Sequence, residues 1–239
     1  MEPWSRKQGA ARARETQTES EEQAKDGCEI QEEDSVQDDQ EEVDPGSLSH
    51  IARMRTLETE RLIIRAFVPA DADAVSRLLD AAFGVGAHGS AAEQRVKFEY
   101  AVAADAGHAL LHQPPYGDRA IVKRDSSELI GSVGFAPCLM PFGQLPSFEP
   151  TTRFTSEIGL FWALFPEHWG HGYATEAAAA MIAYAFDQLR LRRIVATTEN
   201  DNTRSMNVMR RLGMRLERNP RDEPAWFQTV GILDDPDGT

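Results

Sequence analysis

Phe161-Trp162-Ala163-Leu164-Phe165-Pro166-Glu167-His168-Trp169-Gly170-His171-Gly172-Tyr173-Ala174-Thr175-Glu176-Ala177 is the stretch whose reading decides the fold. Its first residues are apolar and end near Leu164, which suits a strand. Pro166 breaks the ladder, since proline has no N–H to donate. Gly170 and Gly172 make a short turn. A helical pattern starts at about Tyr173, with Ala174, Ala177, Ala178, Met181 and Ala185 on one face. Strand, glycine turn and helix start together aim free backbone N–H groups and the positive end of a helix dipole at one spot, and such a spot binds phosphate. Glycine at 170 and 172 lets the backbone approach a ligand with no Cβ in the way.

Two familiar phosphate turns are excluded. No Lys-Ser/Thr follows the glycines, as a P-loop requires. The dinucleotide fingerprint lacks its third glycine here, and no repeated βαβ pattern follows. Other phosphate-binding layouts remain open at this point.

Working outward, residues 59–67 read as an opening strand. Pro69 starts a helix with Asp71 and Asp73 in its first turn and Ala74, Leu78 and Leu79 on its buried face. A loop carries Gly84, Gly86 and Gly89. A second helix follows over 91–106, with Val96, Tyr100 and Val102 as its apolar positions. Residues 119–123 and 129–136 form a hairpin around 124–127. A long connection, 137–155, contains Pro137, Pro141, Pro146 and Pro150, with Phe142 and Phe148 between them. Its aromatics suit a lid over an acceptor site or, equally, packing on the domain's flank. After the helix at 173–189 come a strand at 193–198, a helix at 202–212 ended by Gly213, and two closing strands at 214–218 and 226–232.

Charge is uneven along the 239 residues. Residues 1–50 hold fifteen acids and five Lys or Arg, a net −10 out of −14 for the whole chain. They contain almost no branched apolar residues and cannot offset their ordering entropy. We therefore expect a disordered acidic tail over 1–55, a folded domain over 56–233 and a short disordered tail over 234–239. The first tail reads either as an interaction arm or as a solvated extension. An anionic chain is a poor nucleic-acid binder. Cys28 and Cys138 are expected to be reduced thiols, with no disulfide framework and no metal site. No apolar run approaches the ~20 residues of a membrane span, and no signal-peptide core is present. The expectation is a soluble, cytoplasmic protein.

The stretch opened above resembles the acyl-CoA pyrophosphate loop of the GNAT acetyltransferase superfamily, Arg/Gln-x-x-Gly-x-Gly/Ala. Gly172 and Ala174 fill its last two places, and Trp169 stands where Arg or Gln is usual. That form is similar to the branch containing ribosomal-protein N-terminal (Rim-type) acetyltransferases. Thr59-Glu60-Arg61-Leu62-Ile63-Ile64-Arg65 looks like that branch's opening strand. Residues 129–135 and 157–162 look like its third and fourth strands. Asn202-x-x-Ser205-x-x-Val208-x-x-x-x-Gly213-Met214 is similar to the family's Asn-x-x-Ala/Ser motif. The resemblance implies an α/β (α+β) fold, with a mixed, mostly antiparallel central sheet of about seven strands flanked by about four helices.

It also implies an acetyl-CoA-dependent N-acetyltransferase acting directly on a primary amine, with no covalent enzyme intermediate and no metal. Trp169, Gly170, His171, Gly172, Tyr173, Ala174 and Thr175 would hold the pyrophosphate. Asn202 and Ser205 would meet the pantetheine arm, and Arg210, with Arg204 and Arg211 as fellow candidates, would meet the 3′-phosphate. A backbone N–H at Ala163 or Leu164 would receive the thioester oxygen. This strand should splay from the strand at Arg193–Thr198 to admit the pantetheine. Met209 occupies the place where many members carry a tyrosine acid, so Ser205 is the substitute donor to the leaving sulfur. Glu157 is the candidate general base through one water; otherwise it is a strand carboxylate paired with Arg153. Glu176 reads as a dipole partner, His168 and His171 as loop histidines or phosphate contacts, and Cys138 as a packed thiol. The acceptor is a protein N-terminus or a small amine. A catalytically silent acyl-CoA-binding module is the reading from another class. The oligomeric state is not legible.

Overall fold

The computed structural model describes residues 54–221 and 223–237. The expected acidic tail lies outside them except at its end, where Met54 is already buried in the core. Eight strands form one sheet: β1 (Leu57–Glu58), β2 (Leu62–Arg65), β3 (Gly117–Lys123), β4 (Leu129–Met140), β5 (Thr155–Leu164), β6 (Arg193–Thr198), β7 (Arg215–Arg218) and β8 (Thr229–Asp234). Their order across the sheet is β1-β2-β3-β4-β5-β6-β8-β7. All neighbours are antiparallel except β5 and β6. Four helices complete the fold: α1 (Ala72–Phe83), α2 (Ala91–Leu110), α3 (Tyr173–Asp187) and α4 (Thr203–Arg211).

The alternation of strand side chains divides the core in two. One face carries Ile64, Ile121, Val133, Phe135, Leu160, Leu164, Ile194 and Ala196, packed on Ala177, Ala178, Met181 and Ala185 of α3 and on Met209 of α4. On the other face, Ala120 and Val122 meet Val75 of α1 and Phe98 of α2. Further across that face, Val195, Val230 and Ile232 meet Met140, Phe142, Leu145 and Phe227. Central strand β5 runs between these last two clusters, and its residues there, Glu157, Gly159 and Phe161, are only partly covered.

Several expectations change. The opening strand is a hairpin, because Thr59 N–H donates to Leu62 O while Leu62 N–H donates to Thr59 Oγ1, and the pair turns the chain. This adds an eighth strand. Strand β4 runs on through Pro137 to Met140, against Thr155 of β5. The long connection is thus shortened, and Phe142 is no lid: it is fully buried, stacked on Phe148 at 5.0 Å and edge-on to Phe227 at 5.3 Å. The flank-packing alternative holds. In α2 the buried positions are Gln94 and Phe98, whereas Val96 and Tyr100 are 65% and 71% exposed. Its apolar residues do not recur on one face, so burial follows where the helix lands on Phe67 and Val75. Trp226 lies before the last strand, which runs to Asp234, one residue into the expected C-terminal tail. Among the described residues no helix is long and apolar enough to cross a membrane.

Candidate functional site

Strands β5 and β6 run parallel, so the helix that follows each of them starts at the same edge of the sheet. The glycine turn leads into α3 there. Gly170 and Gly172 have φ of +80° and +82°, a region costing other residues roughly 1–2 kcal/mol. Gly172 is the N-cap of α3 and brings no capping side chain. The first N–H groups of the helix, at Tyr173, Ala174 and Thr175, therefore lack intrahelical partners. Helix α4 differs, since Asn202 Oδ1 accepts from Ser205 N at 3.1 Å. A Cβ at Gly170 would meet nothing within 4 Å, which leaves the turn open on its outer side. Thr175 Oγ1 is buried without a hydrogen-bond partner among the described residues.

The start of α3 is held by the β1–β2 hairpin. Glu176 accepts from Thr59 Oγ1 at 2.6 Å, Arg61 N at 3.0 Å and Arg61 Nε at 2.7 Å. Arg61 also donates to His171 O and lies 4.6 Å over the Tyr173 ring. Burial works to raise the Glu176 carboxyl, but the donors from Thr59 and Arg61 outweigh it and hold the pKa below the usual range. Glu176 thus anchors the turn to the hairpin through Thr59 and Arg61, contacts that its reading as a dipole partner did not include. His168 faces Glu128 at 3.4 Å, while His171 is exposed beside Tyr173.

Trp169 and α4 meet at this edge. The Trp169 indole N–H donates to Leu164 O at 2.9 Å, folding the turn back on β5, and its ring remains 38% exposed. The Arg204 guanidinium lies 4.4 Å over that ring, so the first turn of α4 touches the glycine turn. Ser205 is beside Arg204 and half-buried. Arg210 is six residues further, about 9 Å along the axis and about 240° round it, and bonds Asn207. Of the three arginines, Arg204 is thus the one brought to the turn. Met209 is buried in the core against Gly231, away from this edge.

Between β5 and β6 the only register pair is Gly159 with Val195, whereas β4 and β5 pair without a break from Gly131–Leu164 to Met140–Thr155. The two parallel strands part beyond Gly159 and leave a gap, as expected. The ladder also says which N–H groups face it. Phe165 N donates to Ile130 O, and antiparallel pairs alternate, so Ala163 bonds into β4 while Trp162 and Leu164 point toward β6. Of the two expected donors, Leu164 faces the gap and Ala163 does not; Trp162, which sequence reasoning missed, joins it. Only the strand register carries that information.

Glu157 lies elsewhere. It is on the far side of the Gly159–Val195 pair, five residues and roughly 17 Å along the strand from Trp162. Its neighbour is Arg193 at 3.8 Å rather than Arg153. Burial raises its pKa, and Arg193 and Arg192 oppose the rise. One water does not span that separation. Burial pushes the neighbouring Cys138 thiol up to about 11, with the Glu157 charge adding to it, which fits a packed thiol and not a nucleophile. Among the described residues no group of three His, Cys, Asp or Glu is placed to hold a metal ion.

Comparison with known proteins places this arrangement. The model of the acetyltransferase (GNAT) domain matches residues 61–215. An uncharacterized N-acetyltransferase of Bacillus subtilis, YoaA, is 31% identical over 162 residues, covering 67% of this chain and 83% of YoaA. Among solved structures, an acetyltransferase from Agrobacterium tumefaciens superposes with a TM-score of 0.56 at 27% identity, over 75% of this chain and 94% of that one. A ribosomal-protein-S5-alanine acetyltransferase from Vibrio fischeri gives 0.57 at 17% identity, over 78% and 100%. At that identity the likeness is one of fold.

Proposed function

The chain belongs to the GNAT acetyltransferase family, and from that premise we propose that it moves the acetyl group of acetyl-CoA onto a primary amine. The observation that carries this reading is the meeting of two motifs at one edge of the sheet, with Arg204 over Trp169 where β5 and β6 part. The open N-terminus of α3 and the unpartnered Thr175 hydroxyl suit a pyrophosphate. Residues 169–175 hold it, and Arg204 adds a cation beside it. The gap between β5 and β6 takes the pantetheine arm. There the Trp162 or Leu164 N–H donates to the thioester oxygen as it gains charge. The amine nitrogen forms the new C–N bond and loses a proton to water. The C–S bond breaks, and the departing sulfur keeps its electron pair. The Ser205 hydroxyl, half-buried in the first turn of α4, donates a hydrogen bond to that sulfur.

A protein N-terminus is the acceptor we favour among amines. Its support is analogy with ribosomal-protein acetyltransferases of the same fold. The test is release of free thiol from acetyl-CoA, measured with a panel of short peptides and a panel of small amines. Thiol release that depends on an amine, with the acetyl group recovered on that amine, is the expected result. Acetyl-CoA binding without turnover on either panel would leave a binding module in place of an enzyme.

A further inference from the structure

Asp118 has no place in the reading above. It is the second residue of β3 and stands opposite Gly134 of β4, which stands opposite Phe161 of β5. Directly opposed residues share a face, so Asp118 and Phe161 rise on the same side of the sheet with a glycine between them. That glycine is required. A Cβ at Gly134 would lie 2.3 Å from Gly117 O and 2.7 Å from Asp118 Cα, so only glycine lets β3 draw in this close. Asp118 is thereby held within two strand spacings, under about 10 Å, of Phe161. Phe161 is the residue before Trp162, whose N–H faces the gap.

This face of β5 lies between the cluster under α1 and α2 and the cluster around Phe142. Phe83, at the end of α1, stacks on Phe161 at 6.1 Å, is met edge-on by His88 at 4.6 Å, and is 47% exposed. The Asp118 carboxyl is reachable by water, yet the protein around it removes enough solvent to push its pKa up to about 6. Among the described residues it has no hydrogen-bond or ionic partner. Three acids on the surrounding elements are engaged elsewhere: Asp80 of α1 with Gln94, Asp105 of α2 with Arg119, and Glu157 of β5 with Arg193.

Resting on the acetyl-transfer reading, we infer that Asp118 receives the acceptor, a primary ammonium carried on an apolar or aromatic group that lies against Phe161 and Phe83. The arrangement supplies what such a cation needs: a free carboxylate, aromatic rings on the same face of the sheet, and a position two strand spacings from Phe161, the residue before the N–H that faces the thioester. The ammonium gives its proton to the Asp118 carboxylate, which passes it to water. The neutral nitrogen then attacks, as balanced above. Glu157, on the far side of the strand pairing, is not needed for this step.

The test compares binding of phenethylamine and of its uncharged counterpart 3-phenylpropan-1-ol to the full-length protein, wild type and Asp118→Asn, with acetyl-CoA binding measured alongside. We expect wild type to prefer the amine by at least tenfold near pH 7.5. The preference should fall as pH drops through about 6 and be lost in Asp118→Asn, with acetyl-CoA affinity unchanged. Asp118→Glu, which keeps the charge, should retain part of it. Failure of wild type to bind phenethylamine, or to prefer it, overturns the inference, as does a preference that survives in Asp118→Asn. Loss of acetyl-CoA binding in wild type would instead overturn the functional reading beneath it.

Discussion

Gly172 meets two demands that no residue with a side chain meets together: a left-handed backbone and an uncapped helix start. A Cβ there would stand 3.5 Å from Arg61 Nη2, which anchors the turn. Gly172→Val should therefore weaken acetyl-CoA binding by roughly tenfold or more, from about 1–2 kcal/mol of backbone strain alone, as read by calorimetry. Ser205→Ala should lower kcat by about tenfold, the value of one hydrogen bond made to a departing thiolate, and leave the acetyl-CoA KM nearly unchanged. Glu157→Gln should change kcat by less than about threefold, because the residue sits roughly 17 Å along β5 from the thioester donor. At this scale the turn was legible because its residues are contiguous. Asp118 and Trp162 were not, because only the pairing of β3, β4 and β5 places them.

The hairpin β1–β2 and the helix α3 are joined by one carboxylate. Glu176 has a pKa held below the ordinary glutamate range by donors from Thr59 and Arg61. Its contribution to stability is therefore present above pH ~4.5 and is lost as pH falls through the lower, folded value. Glu176→Gln should cost about 1–3 kcal/mol at pH 7, and the difference from wild type should shrink in acid, as followed by urea unfolding across pH. The connection after β4 makes a second case. Phe142→Ala should cost about 3–5 kcal/mol and leave the KM for acceptor in place, since the ring fills core against Phe148 and Phe227. The four prolines and two aromatics of that connection left a lid and packing on the domain's flank equally open. What placed Phe142 inward was the run-on of β4 against Thr155, a pairing with no local signature.

Over the whole molecule, the element order was readable from hydrophobic pattern and glycine placement, whereas the mixed sheet with its four helices and the parting of β5 from β6 were implied by the resemblance to the GNAT family. The sheet's two faces were not, since they emerge only when all eight strands are in register. That register leaves one face of β5 partly bare between two packed clusters, and puts both helix starts at one edge. The account's central claim is that this edge binds acetyl-CoA through its pyrophosphate and pantetheine. A thermal-unfolding titration with acetyl-CoA and desulfo-CoA, with NAD as control, tests it most directly, because a ligand of the native state raises the unfolding temperature by mass action. Stabilisation by both CoA compounds, on the order of 2.7 kcal/mol at a hundredfold excess over Kd, and none by NAD, is the predicted result. No shift at saturating acetyl-CoA, or an equal shift with NAD, would contradict it.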